Sequence, residues 1–136
     1  MTLVEQLKRD ESTRLKPYTD TVGKLTIGTG RNLTDVGISN DESDYLLAND
    51  IARTEAELLK ALPWTASLDD ARQSALINMG FNLGVPGLLE FRHTLGLIQS
   101  GDYEAASDEM LNSRWAAQVG ARAHRLALQL KTGVWQ

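Results

Sequence analysis

The sequence predicts an α+β domain that is mainly α-helical and carries one small β-hairpin. Two capping boxes, at residues 2–5 and 39–42, each start a helix, because the hydroxyl and the carboxylate satisfy each other's backbone amides. Between these helices, residues 15–18 and 24–27 are typical of two short strands joined by a turn. From Ser67 onward, apolar residues recur at helical spacing to the end of the chain.

The composition is that of an ordinary globular domain of 136 residues, long enough to bury a core. Hydrophobic residues make up 42% of the chain and charged residues 24%, which argues against intrinsic disorder. The absence of cysteine excludes disulfides, thiol nucleophiles and cysteine metal sites. No apolar run reaches the ~20 residues that span a bilayer. Because residues 1–6 carry charge where a signal peptide is apolar, we expect synthesis in the cytoplasm.

The net charge of −4 is unevenly distributed along the sequence. After residue 110 the chain carries only basic charged residues and no Asp or Glu. Such an end could contact an anionic polymer, although a solvated cationic helix is the more ordinary interpretation. Because the chain as a whole is acidic, its charge argues against a dedicated nucleic-acid binder.

The first helix places a carboxylate on its apolar stripe. Val4 and Leu7 define that stripe, and the next position in phase is Glu11. We expect Glu11 to lie on the core face near the end of the helix. Burial and the helix dipole would both disfavour its anionic form there.

A second carboxylate, Asp20, lies on the predicted turn at residues 19–23, which is polar and contains Gly23. We expect Asp20 to be exposed and ionised. One carboxyl on an apolar face and another in a polar turn is the arrangement that separates an acid from a base. Helix-end glutamates and turn aspartates are each common without catalysis, and Thr26 on the returning strand is typical of plain β-sheet packing.

The other candidate motifs are weaker. Residues 28–30 begin like a dinucleotide-binding loop, but the third glycine and a parallel βαβ unit are missing. Their glycines are better explained by close approach of a ligand or a helix. His93 and His124 lack carboxylates at ligand spacing and no nucleophilic-serine motif occurs, so we expect no metal and no cofactor. Core or cleft-lining positions are predicted for three aromatics, with plain packing favoured for the tryptophans: Phe81, Trp115 and Trp135.

Caps and helix breakers define the remaining helices. The capping box at residues 39–42 opens a helix of roughly twenty residues that ends before Pro63, long enough to connect two lobes. The helix that ends at Leu83 is closed by Gly84. Shorter helices are predicted to be separated near Arg92, at residues 100–101, near Ser113 and at Gly120.

Three separated blocks of the chain match one known family, in order and over essentially the whole length. The blocks are residues 7–23 with 26–30, residues 75–84, and residues 113–115 with 122–125 and 131–135. By these motifs the chain resembles the phage-type lysozymes, the T4-lysozyme-like endolysins. The resemblance implies hydrolysis of the β-1,4 bond between N-acetylmuramic acid and N-acetylglucosamine in peptidoglycan.

The resemblance implies a single domain, residues 1–136, with a two-lobed lysozyme-like fold. A small β-hairpin lobe would occupy about residues 13–38 and a connecting helix about residues 39–61. A helical lobe would comprise about residues 62–136 together with the N-terminal helix 3–12.

The resemblance also implies roles for the motif residues. Glu11 matches the general acid that protonates the leaving oxygen, Asp20 the second catalytic carboxylate, and Thr26 the threonine that helps to hold the attacking water. The implied mechanism is inverting, with the two carboxyl groups about 6.5–9.5 Å apart. Arg122 matches a supporting arginine near the glutamate, where its charge would oppose the effect of burial.

Five further positions match substrate-binding residues of the family, and some depart from its usual pattern. Asn32 replaces a leucine, and Glu109 stands where an asparagine is expected. Arg31 replaces a histidine and would form an ion pair that does not titrate, with Asp50 as the expected partner. The segment at residues 33–38 is short, which predicts a trimmed small lobe. The substrate-binding candidates are Gly30, Asn32, Phe81, Thr94 and Glu109.

The resemblance implies peptidoglycan as the partner, a monomer, and no stable membrane association. It also implies release from the host cytoplasm through a membrane lesion made by a separate holin. Two other functions stay open. A lytic transglycosylase would use a glutamate without a water-activating aspartate, and a silent wall-binding module would keep the cleft without the chemistry. Asp20 and Thr26 favour hydrolysis over transglycosylation, and the presence of Glu11, Asp20 and Thr26 together argues against a silent module.

Overall fold

The chain folds into eight α-helices and one three-stranded antiparallel sheet in a computed structural model that describes residues 1–136. This architecture confirms the predicted mainly helical α+β class. None of the helices combines the length and the apolar character needed to cross a membrane. In chain order the elements are α1 (Leu3–Glu11), β1 (Arg14–Thr19), β2 (Leu25–Gly28), β3 (Arg31–Asn32), α2 (Asn40–Ala61), a 3-10 turn (Pro63–Ser67), α3 (Asp70–Leu83), α4 (Val85–Leu88), α5 (Arg92–Gln99), α6 (Tyr103–Leu111), α7 (Arg114–Val119) and α8 (Ala121–Thr132).

The chain divides into two compact units, Met1–Leu46 and Leu47–Gln136. The long helix α2 begins in the first unit and ends in the second. The first unit contains α1 together with the sheet. The predicted lobe boundaries, and the predicted assignment of α1 to a helical lobe, stay predictions.

Both capping boxes form as predicted. The Thr2 amide donates to the Glu5 carboxylate at 2.6 Å, and the Glu5 amide donates to the Thr2 hydroxyl at 3.2 Å. Ser39 and Glu42 make the same reciprocal pair, at 2.9 and 3.2 Å. These bonds satisfy amides that the first helical turn leaves free, which explains where α1 and α2 begin.

The sheet has the order β1-β2-β3 and positions the turn that carries Asp20. Tyr18 pairs with Thr26 and Thr19 with Leu25, so Asp20 follows directly after the last register pair. The register is irregular between Arg14 and Tyr18. The sequence predicts only the hairpin, and the two-residue strand β3 completes the sheet.

The predicted core-face position of Glu11 is wrong. No residue of α1 is buried: Val4 is 61% exposed, Leu7 is 44% exposed, and Glu11 is exposed as well. Within residues 1–46 the only buried residue is Thr26. The apolar stripe of α1 therefore has no core within its own unit on which to pack.

The hydrophobic core lies in the second unit. Trp115 is buried there, donates its indole N–H to the Asn82 side chain at 2.7 Å, and packs edge-to-face against Phe91. Trp135 is 63% exposed, so plain packing is wrong for this tryptophan, which instead borders a cavity together with Phe81. It follows Gly133, whose left-handed conformation ends α8. The largest fully buried apolar side chains are Leu58, Leu76, Met79, Leu88, Ile98, Met110 and Leu130.

Arg72 ties α3 to the end of α8. Its guanidinium donates to the carbonyl oxygens of Leu130 at 2.6 Å and Lys131 at 2.9 Å, and lies 3.7 Å over the Tyr103 ring. A cation at the C-terminus of a helix satisfies free carbonyls and complements the helix dipole.

Candidate active site

The turn after β1 holds the Asp20 carboxylate by one of its two oxygens. Oδ1 accepts hydrogen bonds from the amides of Val22 at 2.9 Å and Lys24 at 2.8 Å. The turn closes through the Asp20 amide, which donates to the Lys24 carbonyl at 2.9 Å. Asp20 is half-buried. Because Oδ1 is occupied by two amides, Oδ2 is the oxygen that can receive an external donor.

Thr26 and Asp20 donate hydrogen bonds to the same atom, the Lys24 carbonyl oxygen. The Thr26 hydroxyl donates to the Lys24 carbonyl at 3.0 Å, and the same carbonyl accepts the Asp20 amide. Thr26 is 4% exposed. Its proton is used by the carbonyl, so the hydroxyl oxygen can accept a hydrogen bond from a further donor but cannot give one.

Gly30 lies against the Glu11 side chain. A Cβ atom at Gly30, where φ is +74°, would approach Glu11 Oε2 to 3.0 Å and Cδ to 3.2 Å. The hydroxyls of Thr13 and Thr29 hydrogen-bond at 2.9 Å beside this contact. Glycine thus meets two demands at position 30, a left-handed backbone and room for a carboxylate.

Ser12, immediately after Glu11, has a strained backbone. Its φ of 63° and ψ of 164° lie in a region that is occupied almost only by glycine. Ser12 is the only non-glycine residue of the chain with positive φ. Strain of this kind concentrates at functional sites, and it fixes how the chain leaves α1 next to the candidate acid.

Arg31 pairs with Glu42 rather than with Asp50. Its guanidinium contacts both Glu42 oxygens at 2.7 Å and the Gly37 carbonyl at 3.2 Å. Asp50 instead pairs with Arg53 at 2.6 Å. The expected partner was wrong because Glu42 is already held in place by the Ser39 capping box, within reach of Arg31.

This arrangement lowers the pKa of Glu42 to about 2. The Arg31 hydrogen bond is the largest cause, followed by the bonds from the Ser39 amide and hydroxyl. The same pair raises the pKa of Arg31. The ion pair joins β3 to the start of α2.

Asn32 is held by the loop that follows it. Its side-chain amide donates to Asp35 at 3.0 Å, and the Asp35 amide donates back to the Asn32 oxygen at 2.9 Å. Asp35 also pairs with Lys24 at 3.2 Å. One N–H of the Asn32 side chain remains available for a ligand.

In the second unit, Phe81 and Arg122 border one cavity of about 420 Å³. Phe81 is 44% exposed there. Asn78 fixes the arginine, since its side-chain oxygen accepts from Arg122 Nη2 at 2.7 Å and from Nε at 3.1 Å. This role of Asn78 was not predicted from the sequence, although the residue lies in one of the matching blocks.

Thr94 and Glu109 border a separate pocket of about 260 Å³. Thr94 is 3% exposed. His93 Nδ1 lies 3.3 Å from a Glu109 carboxylate oxygen. Phe81 does not border this pocket. The structure thus brings together Asp20 with Thr26, Glu11 with Gly30, and Thr94 with Glu109.

Comparison with known proteins identifies the family. The phage lysozyme family model matches residues 8–129. A probable T4-type lysozyme of Dictyostelium discoideum is 29% identical over 95% of this chain and 93% of its own length. An endolysin of Acyrthosiphon pisum secondary endosymbiont phage 1 is 32% identical over 85% of this chain and 80% of its own length.

A third relative is much larger than this chain. The pre-baseplate central spike protein Gp5 of Enterobacteria phage T4 is 30% identical over 98% of this chain, which covers only 28% of the spike protein. The alignments with this protein and with the Dictyostelium lysozyme run to 161 and 159 positions. Because this chain has 136 residues, those relatives carry residues that it lacks. The chain therefore belongs to the phage lysozyme family of enzymes.

Proposed function

We propose that this chain is an endolysin that hydrolyses the β-1,4 bond between N-acetylmuramic acid and N-acetylglucosamine in bacterial peptidoglycan, with inversion at the anomeric carbon. Glu11 is the general acid, and Asp20 and Thr26 position the attacking water. Membership of the phage lysozyme family supports the reaction class. The hydrogen bonding around Lys24 supports the roles of Asp20 and Thr26.

The main structural support for these roles is the Lys24 carbonyl, which accepts hydrogen bonds from both Asp20 and Thr26. It fixes Asp20 through the backbone and Thr26 through the side chain, and leaves an acceptor free on each. A water between them donates one proton to Asp20 Oδ2 and the other to Thr26 Oγ1. Its lone pair is then free to attack carbon, while Asp20 takes up a proton as the bond forms. A threonine that donated to the water would compete for that lone pair.

Glu11 protonates the leaving glycosidic oxygen. Protonation of the leaving oxygen by a carboxylic acid requires the carboxyl group to be held in one place. The Gly30 backbone lies against the Glu11 side chain and limits its freedom on one side. Ser12 limits the backbone on the other side, because its strained conformation directly follows Glu11.

The remaining candidates are proposed to bind glycan or to support the acid. Gly30 and Asn32 would do so from the first unit, and Phe81, Thr94 and Glu109 from the second. Arg122, which Asn78 holds by its side-chain oxygen, is proposed as the supporting cation. We also propose that the enzyme acts as a monomer, without stable membrane association, and reaches the wall from the host cytoplasm after a separate holin has opened the membrane.

The direct test is clearing of a peptidoglycan suspension by the wild type and by Glu11→Gln. We expect the variant to lose at least 100-fold in rate, of the order that a positioned acid contributes. Asp10→Asn is the matched control, since it neutralises the neighbouring exposed carboxylate of the same helix. Equal clearing by wild type and Glu11→Gln, with Asp10→Asn unchanged, rules out the acid role.

Product analysis distinguishes hydrolysis from transglycosylation. We expect reducing muramyl ends that first appear as the inverted anomer, observed by NMR within the first turnovers. Anhydro ends would establish a lytic transglycosylase instead. Thr26→Val keeps the shape of the side chain but removes the acceptor oxygen, so it should slow hydrolysis strongly while changing substrate binding little.

A further inference from the structure

Two side-chain hydroxyls join the segment after Glu11 to the turn between β2 and β3. The Thr13 and Thr29 hydroxyls lie 2.9 Å apart, and both residues are exposed. Thr13 is the second residue after Glu11, and Thr29 directly precedes Gly30, whose backbone lies against the Glu11 side chain. This hydrogen bond therefore connects the two chain segments that border the proposed acid.

The backbone pairing of the sheet explains why these two residues meet. Arg14 and Gly28 are register partners at one end of the β1–β2 ladder, so Thr13 and Thr29 form the next pair across it. Both threonines lie just outside the strands. Cross-strand threonine pairs contribute to stability through their hydroxyls, and here the side chains continue the pairing where the backbone ladder has ended.

Thr29 lies between two glycines in the turn that joins β2 to β3. Gly28 and Gly30 both have positive φ, at +67° and +74°. Because glycine restricts the backbone least, a side-chain contact in this turn restricts its movement more than it would elsewhere. The Thr13 hydroxyl supplies such a contact, one residue away from Gly30.

We propose that Thr13 and Thr29 are positioning residues for the general acid, because their hydrogen bond keeps the Gly30 backbone against the Glu11 side chain. The proposal rests on the proposed function, since it takes Glu11 as the proton donor. The two threonines act through Gly30 and not on the substrate. Loss of their hydrogen bond should lower the fraction of molecules in which the Glu11 carboxyl group is aligned with the leaving oxygen.

The proposed water-positioning residues should not depend on this hydrogen bond. Asp20 and Thr26 lie on the far side of the register irregularity between Arg14 and Tyr18. The pairing of Tyr18 with Thr26 therefore has a register of its own, separate from that of the threonine pair. Substitution of either threonine of the pair should impair proton donation and leave attack by water intact.

Two aryl glycosides that differ in their need for an acid test the proposal. Both carry the N-acetylglucosamine–N-acetylmuramic acid disaccharide, with phenol or dinitrophenol as the leaving group. Phenolate is a poor leaving group and requires protonation, whereas dinitrophenolate leaves without it. Among reference variants, Glu11→Gln should therefore slow hydrolysis of the phenyl glycoside selectively, and Thr26→Val should slow hydrolysis of both.

The valine variants of the pair should resemble a weak form of Glu11→Gln. We expect Thr13→Val and Thr29→Val each to lower kcat for the phenyl glycoside about fivefold, while kcat for the dinitrophenyl glycoside stays within about twofold. The double variant should lose no more than either single variant, because each substitution alone removes the bond. Thr13→Ser is the matched control, since it keeps the hydroxyl and should retain the wild-type rate on both glycosides.

Selective slowing of the phenyl glycoside by the valine variants supports the proposal. Equal slowing of both glycosides would show a general structural effect and overturns it, as do unchanged rates on both. Additive losses in the double variant also overturn it, because the two hydroxyls would then act separately. Failure of the proposed function shows differently, as hydrolysis of the phenyl glycoside by Glu11→Gln at the wild-type rate.

Discussion

Substitution of Gly30 by alanine should reduce activity far more than stability. A Cβ atom at this position would lie 3.0 Å from Glu11 Oε2, whereas ordinary contacts begin at 3.4 Å. The Glu11 carboxylate must therefore move by about half an ångström. Since misplacement by about 1 Å can cost roughly 100-fold in rate, we expect clearing to slow about tenfold.

Gly28→Ala is the control that isolates this contact. Gly28 has φ of +67°, close to the +74° of Gly30, but a Cβ atom there would meet nothing within 4 Å. Both variants therefore carry the same backbone strain, about 1–2 kcal/mol, measurable by urea unfolding. Gly30→Ala should add a smaller cost in stability for displacing the Glu11 carboxylate, and only Gly30→Ala should lose activity. If the two variants clear peptidoglycan equally fast, the contact with Glu11 has no role in positioning the acid.

A double-mutant cycle gives a second readout that does not depend on catalysis. Glu11→Ala removes the Cγ, Cδ and Oε2 atoms that a Cβ at Gly30 would approach. In that background the cost of Gly30→Ala should fall to the cost of Gly28→Ala. A cost that stays unchanged would mean that the carboxylate already moves freely away from Gly30.

Three further substitutions have defined expectations. Ser12→Gly should raise the free energy of unfolding by about 1 kcal/mol, because relief of the positive-φ strain exceeds the entropy that glycine adds to the unfolded chain. A free energy of unfolding below that of the wild type would contradict the strain. Glu42→Gln should abolish a pH dependence of stability. Because Arg31 and Ser39 lower the Glu42 pKa to about 2, the ionised Glu42 carboxylate stabilises the fold fully above about pH 4.5. Thermal unfolding scans should show this stabilisation being lost as the pH falls through about 2. Gly133→Ala should lower the free energy of unfolding by about 1–2 kcal/mol, because it strains a left-handed residue and brings a Cβ atom to 3.0 Å from Arg72. Urea unfolding measures this loss. An unchanged free energy would contradict the strain and mean that the Arg72 side chain moves aside without cost.

Local signals were sufficient to predict the starts of α1 and α2 and the end of α3. The capping boxes at Thr2 and Ser39 place the starts of α1 and α2, because each depends on two side chains three residues apart. Gly84, with its positive φ, ends α3 where the sequence predicted. Strand β3 was missed because two residues cannot display an alternating pattern, and only its pairing with β2 defines it.

Burial and pairing could not be predicted in the same way. The apolar stripe of α1 shows which face of the helix is apolar, but the existence of a core beside that face depends on the rest of the unit. Arg31 illustrates the second case, since the expected partner from the sequence was Asp50, whereas the structure pairs it with Glu42. The Ser39 capping box, which the sequence does predict, holds Glu42, but only the folded loop brings Arg31 and the Gly37 carbonyl within reach of it.

The first unit is organised by hydrogen bonds instead of a core, and this determines which substitutions should affect catalysis. Thr26 is its only buried residue, and that residue is held by the Lys24 carbonyl. Asp20 is held by two amides of its own turn. The geometry of Asp20 and Thr26, the proposed water-positioning pair, therefore depends on residues 20–26, and substitutions that alter this turn should reduce activity without a matching loss of stability. A core substitution such as Leu76→Ala in the second unit should instead cost about 2–5 kcal/mol of stability, because its cavity cannot be filled.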